Sequence, residues 1–343
     1  MRFASPVLIA ALAARPAIPQ QQATFSTTTN VVIVNVTVLD GRGNPVENLT
    51  KGDFEVYEDG KLQRLQSVDF QRLNNKVLPP MNQAKPEPIE PAHPAAPEDD
   101  LLKASLSPRY QDRRLIVMLF DFSSMQAAEQ IRSKEAALKF LTTQMTASDM
   151  VSIMTFGTEL QTVQDFTSDR DLLTAAINKF RAGESSENAA LADTGADAQD
   201  QSDQFVADET EFNIFNSDLK LAALEDAARR LAPFPEKKAL IYFSSGIEKT
   251  GVDNQSQLRA TVNMAVRSNV AFYPVDARGL SALVPGGDAT QAAAVGNNLY
   301  SGAGQRSLKE SFNNQQETLG SLALDTGGKA LLDSNDLTEG MRQ

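Results

Sequence analysis

The feature that most limits what this chain can fold into is a run of six apolar residues, Leu115 to Phe120. Arg113-Arg114 bounds it on one side and Asp121 on the other. Both side-chain parities are apolar, which suits a strand buried on both faces. The residues after it supply the covering layers. A helix follows with Ile131, Leu138, Leu141 and Met145 on one face. Val151–Phe156, the turn at Gly157-Thr158, and Leu160–Phe166 form two further strands in a hairpin. Residues 169–181 are helical. Ser217 caps a helix bearing Leu221, Leu224, Ala228 and Leu231. Ala239–Phe243 is a second buried strand, followed by a helix around 254–268 and a strand from Val270 to Val275. A Gly-rich loop, a helix at about 306–324, and a short strand Lys329–Leu332 after Gly327-Gly328 complete the pattern. Alternation of this kind implies an α/β fold with an open, mostly parallel sheet flanked by helices.

The part before residue 111 is built differently. Arg2 followed by an apolar, Ala-rich run to Ala14, with Ala11-Leu12-Ala13 as a cleavage site, reads as a secretory signal peptide within residues 1–22. Residues 23–72 read as a small β-sandwich-like module. Val32, Val34, Val36 and Val38 alternate along a first strand, Phe54–Glu58 is a second, Asp59-Gly60 is a two-residue hairpin turn, and Leu62–Phe70 is a third. Residues 73–110 are a linker punctuated by Pro79, Pro80, Pro86, Pro88, Pro91, Pro94 and Pro97. The only histidine, His93, lies in that linker and reads as a solvated side chain.

Composition closes several routes. There is no Cys, which excludes disulfides, thiolate nucleophiles and Cys-ligated metals. A single His excludes any His pair. The net charge of −12, with no basic cluster, argues against nucleic acid as a partner. After the signal region no segment approaches ~20 continuous apolar residues, so no transmembrane span is expected in the mature chain. An exported protein, periplasmic, extracellular or at the cell envelope, then has to draw its stability from a sizeable core.

In an open α/β sheet the ligand site lies at the carboxyl ends of the strands. There the sequence places Asp121-Phe122-Ser123-Ser124-Met125, then Ser244-Ser245-Gly246, and then Asp276-Ala277-Arg278-Gly279. Arg113–Met125, Lys238–Gly246 and Thr326–Ala330 resemble a von Willebrand factor type A (VWA) domain, over roughly residues 111–343. Phe54–Gly60, Val252–Gln255 and Phe272–Gly279 resemble more specifically the VWFA-related proteins abundant in Acidobacteria. The resemblance implies a Rossmann-like domain with a six-stranded sheet, one strand antiparallel, acting as a binding module rather than an enzyme.

It also implies a metal-ion-dependent adhesion site, with the pattern Asp-x-Ser-x-Ser, a later Thr, and an Asp before Gly after the central strand. Asp121 and Ser123 match that pattern, and Ser217 can stand for the Thr. Met125 and Ser245 depart from it: a thioether is a soft donor, and Ser245 lacks the carboxylate's charge. Asp218 and Asp276 lie near enough in the pattern to compensate. Two readings stay open: a weak site for Mg²⁺ or another divalent cation on Asp121, Ser123 and Ser217, or a degenerate site whose polar residues cap loops. Asp218, Ser244, Ser245 and Asp276 complete the expected binding rim, and a protein is the expected partner.

Residues 182–219 hold ten acidic side chains and no Lys or Arg. The stretch reads as a solvated insertion (182–216) leading to the rim, or as a recognition loop. Gly279–Gln305 is a second long loop on the same edge. The alternatives are a structural envelope protein without a metal-dependent ligand, and a Ser-based hydrolase. The latter lacks the Gly-x-Ser-x-Gly elbow, because Phe243 stands where the first Gly is needed. Asn335-Asp336-Leu337 reads as the start of a last helix that the chain, ending at Gln343, would truncate.

Overall fold

The computed structural model describes residues 34, 36–71, 73, 76–79, 81, 110, 112–181, 205–249, 254–280 and 303–337. The expected signal peptide, His93, the acidic residues 182–204 and the loop 281–302 lie outside the described residues, as do residues 338–343 of the expected last helix.

The N-terminal module is slighter than expected. Strands β1 (Val56–Glu58) and β2 (Lys61–Gln63) pair antiparallel, in the register Glu58 with Lys61. Asp59 and Gly60 both take positive φ, as a two-residue hairpin turn requires. The expected first strand is reduced, among the described residues, to a single bridge between Leu39 and Pro45. The expected third strand ends at Gln63 instead of Phe70. An alternating apolar face holds a strand in place only when a second layer covers it. Val36, Leu39, Leu62, Val68 and Phe70 are all exposed.

The α/β part follows the alternation closely. Its sheet has five strands in the order β5-β4-β3-β6-β7. These are β3 (Arg114–Asp121), β4 (Asp149–Phe156), β5 (Leu160–Thr167), β6 (Lys238–Ser244) and β7 (Val270–Asp276). Pairing is parallel except for the β4–β5 hairpin. The expected sixth strand survives as one parallel bridge between Val275 and Leu331. The outer edge of β7 explains why. Phe272 N–H is taken by the Thr326 hydroxyl at 2.9 Å, and Pro274 has no N–H to offer. Only Asp276 N–H remains for Leu331 O, at 3.0 Å.

Helices α1 (Ala127–Thr143) and α2 (Arg170–Asn178) cover one face of the sheet, and α3 (Phe205–Leu231), α4 (Gln255–Arg267) and α5 (Ala303–Asp325) cover the other. Alternation along β3 sorts the two cores. Ile116, Met118 and Phe120 meet Ala137, Phe140 and Leu141 of α1, and Leu173 and Ile177 of α2. Leu115, Val117 and Leu119 meet Leu221, Leu224, Ala228 and Leu231 of α3. Each fully buried Leu or Phe is worth roughly 1.5–3 kcal/mol. The α1 face is set by Ser133, Ala136, Ala137, Phe140 and Leu141, whereas Ile131, expected on it, is 48% exposed. Asp169 caps α2 by accepting from the N–H groups of Asp171 and Leu172.

Helix α3 begins earlier than expected, so Ser217 is not its N-cap but lies well inside it. Asp208, Glu209 and Glu211 lie within the helix. The helix therefore reaches back into the acidic stretch. Residues 205–216 make up about 18 Å of helix, at ~1.5 Å per residue.

Candidate functional site

The carboxyl end of the sheet gathers the polar residues, and strand parity decides which ones meet. Asp121 shares its face with Leu115, Val117 and Leu119, the face covered by α3. On β6, Tyr242 and Ser244 share the face of Leu240. The register pairs Leu119 with Tyr242, which brings all three polar groups together. Asp121 is fully buried. Its Oδ1 accepts from Ser123 N–H at 3.1 Å and from the Ser123 hydroxyl at 2.5 Å. Its Oδ2 accepts from the Tyr242 hydroxyl at 2.6 Å and from the Ser244 hydroxyl at 3.3 Å.

The positive charge facing Asp121 comes from helix α3. Lys220 Nζ lies 4.0 Å from Asp121 Oδ2, with its side chain 12% exposed, and donates to Gly246 O at 2.9 Å. Burial pushes the Lys220 ammonium below its ordinary pKa. Asp121 opposes that shift most strongly, Arg278 adds to it, and Glu129 and Glu248 oppose it. The Tyr242 phenol is raised well above its ordinary value, by burial first and then by the Asp121 charge, so it stays a donor. One turn before Lys220, the Ser217 hydroxyl donates to Glu248 O at 2.5 Å. Helix α3 thus grips the loop after β6 at two carbonyls.

That loop is tight. Gly246 has φ +107°, and a Cβ there would come within 2.8 Å of Gln315 Cβ and 3.2 Å of an Arg278 nitrogen. Ser245 leaves the loop on the other side and donates to Glu129 Oε2 at 2.7 Å. The same oxygen accepts from Gln126 N–H at 2.8 Å, so Glu129 caps α1 and anchors Ser245 together. At the end of β7, buried Asp276 is held bidentately by Arg278 at 2.9 and 2.8 Å. The Arg278 guanidinium also donates to Gln315 Oε1 at 2.5 Å and lies 4.2 Å from the Phe312 ring centre.

The structure therefore brings Asp121, Ser123 and Ser244 into one cluster. Ser217 and Asp218 are directed elsewhere: Ser217 to the Glu248 carbonyl, and Asp218 to Asn254 Nδ2 at 2.8 Å. Of the four expected rim residues, Ser244 and Asp276 are fully buried and face inward, while Asp218 and Ser245 are half-buried. Lys220, Tyr242, Glu129 and Arg278 are central to the site and were not among the expected residues. Lys220 stands beside Leu221 at the edge of the apolar α3 stripe, and Tyr242 is the hydroxyl-bearing residue in the run Ala239–Phe243. Those two interruptions were the available signals.

A divalent cation of the Mg²⁺ type needs about six hard oxygen ligands. The donor set here does not fit one. Both Asp121 oxygens already accept hydrogen bonds, an ammonium faces one of them, and the Ser217 hydroxyl is committed to a carbonyl. Met125 is fully buried, and its sulfur accepts from Ser133. Among the described residues no three His, Cys, Asp or Glu side chains are grouped to hold a metal. No described helix is long and apolar enough to cross a membrane.

No family profile and no curated protein matches the chain. Solved structures do. An aerotolerance-related membrane protein from Bacteroides fragilis is 13% identical, with a TM-score of 0.40, over 66% of this chain and 95% of its own. The conserved hypothetical protein BatB from Bacteroides thetaiotaomicron is 13% identical, with a TM-score of 0.38, over 67% of this chain and 96% of its own. The SpRpn10 VWA domain is 13% identical, with a TM-score of 0.25, over 48% of this chain and 74% of its own.

Proposed function

We propose that the chain is a protein-binding module of the von Willebrand factor type A kind, engaging a partner at the carboxyl-end rim of its sheet. Within that class it is read as a VWFA-related protein, exported to the periplasm or cell envelope, where it mediates adhesion or assembly without catalysing a reaction. One observation carries the reading. Two strand ends, the loop after β7 and helix α3 commit charged groups to holding this edge in a single arrangement, the buried Asp121 and Asp276 and the largely covered Lys220 and Arg278, and such groups are costly to bury without a use. On α3, two residues before Ser217, Phe215 is 60% exposed. Aromatic residues are enriched at the centres of interfaces. Neither serine at the end of β6 is placed as a nucleophile: the Ser244 hydroxyl is buried against Asp121, and Ser245 donates to a carboxylate already engaged in capping α1.

The test is affinity capture from envelope extract with wild type, the rim variants Ser123→Arg and Phe215→Asp, and Lys237→Glu at the opposite end of the sheet. Thermal melts verify that each variant is folded. Binding lost in both rim variants and kept in Lys237→Glu is the expected result. Equal capture by all four proteins overturns the rim as the binding surface, and no captured protein at all favours a purely structural role.

A further inference from the structure

We propose that Lys220 is the resident cation of this rim, a covalently attached ammonium that does at Asp121 what a bound divalent ion would otherwise do, so that the rim is assembled without metal. Three independent placements support it. Nζ faces Asp121 Oδ2 at 4.0 Å, where a ligand to that carboxylate would sit. It donates at 2.9 Å to the carbonyl of Gly246, the residue at which the chain leaves β6 in a conformation that strongly favours glycine. The remaining carboxylates around it are Glu129, engaged with Ser245 and the α1 cap, and Glu248, whose Oε2 accepts from Gln315 Nε2 at 3.4 Å. Arg278, the other cation acting on it among the described residues, is committed to Asp276.

The substitution works because the charge and the scaffold arrive together. A free ion would have to be bound by ligands gathered from separate loops. Lys220 is carried by α3, already anchored by Leu221 and Leu224 in the core. The ammonium neutralises Asp121, and the helix that bears it also fixes the β6 loop. This assignment does not depend on what the rim binds. A protein partner engaging it would do so without a shared metal ion, and its capture would be insensitive to chelator.

The test is a double-mutant cycle on the full chain with Lys220→Met, Asp121→Asn and the double variant, followed by urea unfolding. Thermal melts of wild type after EDTA treatment, with and without millimolar MgCl₂ or MnCl₂, accompany it. The expected results are a coupling of tenfold or more in the unfolding constant between the two sites and a wild-type melting temperature that metal leaves unchanged. Additive single effects, or saturable stabilisation of wild type by either metal, overturn the proposal. If Lys220→Met fails to fold, recovery of folding in the double variant supports the pairing. If neither variant folds, the wild-type metal titration decides by the same criterion.

Discussion

Two buried aspartates stand at opposite ends of the same sheet, and they are satisfied in different ways. Asp149, at the amino end of β4, is closed off locally. Arg114 of the neighbouring strand meets it bidentately at 2.6 and 2.9 Å, and Thr146 N–H donates at 2.7 Å. Asp121, at the carboxyl end of β3, has no such clamp. Its partners come from its own loop, from β6 and from α3, and the nearest ammonium stays 4.0 Å away. The first arrangement stabilises one strand pair. The second makes a single carboxylate the meeting point of three elements, which is the design expected where a surface has to be held in shape.

The largest effect should separate these two carboxylates directly. Asp121→Ala leaves Lys220 without its counter-charge and the Tyr242 hydroxyl without its acceptor, both in the interior. A loss of about 3–5 kcal/mol is expected. Asp149→Ala should cost less, about 2–3 kcal/mol, because the Arg114 side chain is 38% exposed and can turn to water. Urea unfolding of the two variants measures both losses. Equal losses would break the contrast between a local clamp and a shared hub.

Each end of the sheet also buries a lysine, and pH should tell them apart. Lys220 faces a carboxylate. Lys238, at the start of β6, is fully buried and donates to Phe234 O. Burial lowers its pKa to about 8 from the ordinary 10.5, with Glu236 opposing the shift only in part. The folded state therefore releases this proton first. Between about pH 8 and 10.5 the unfolded chain holds more protons, so stability from this group rises with pH across that window and is flat below it. The full gap corresponds to on the order of 3 kcal/mol. Stability curves of wild type and Lys238→Met from pH 7 to 10 should diverge in slope, and parallel curves would show that Lys238 is not held in a depressed state.

What could be read from the sequence follows the same division. Strands β3, β6 and β7 were legible because apolar runs have few other stable places to go, and β4 because its apolar residues lead into the Gly157-Thr158 turn. Asp121 and Ser123 were legible because a strand end before a helix is where α/β sheets present polar groups. Lys220 and Tyr242 were not. Each sits inside a pattern that reads as core, and periodicity reports which face is apolar, not which polar group will reach across to another element. Tyr242 meets a residue 121 positions away in the chain. Ser217 misled for a related reason: a Ser before an apolar stripe is a good cap, but the helix continued upstream through the acidic residues from Phe205. The last strand is cut to a single bridge because Thr326 takes the Phe272 N–H and Pro274 has none to offer a longer ladder at that edge.

A smaller change tests whether the hub depends on Tyr242 as a donor or only as a filler. Tyr242→Phe keeps the ring in the core and removes the hydrogen bond to Asp121. A loss of about 1.5–3 kcal/mol is expected, the range for a bond to a charged acceptor. The same variant combined with Asp121→Asn should cost less than the sum of the two, because both remove one shared interaction. Additivity would mean that Tyr242 and Asp121 are neighbours without being partners.

The smallest effect should fall on Ser245, and its size carries information about the rim. Its hydroxyl joins the loop after β6 to Glu129, but Glu129 retains its bond to Gln126 N–H when the serine is gone. The α1 cap therefore survives Ser245→Ala, and the loop keeps its ties through Ser217 and Lys220. About 0.5–1.5 kcal/mol should be lost, the net worth of one hydrogen bond. Hydrogen exchange gives the sharper readout, because protection should fall at Gly246 N–H, which donates to the Ser244 hydroxyl at 3.1 Å, and stay unchanged at Thr146 N–H beside Asp149. If exchange instead rose at both ends of the sheet together, the rim would not be a separately held unit, and the carboxylate at its centre would be one more core contact.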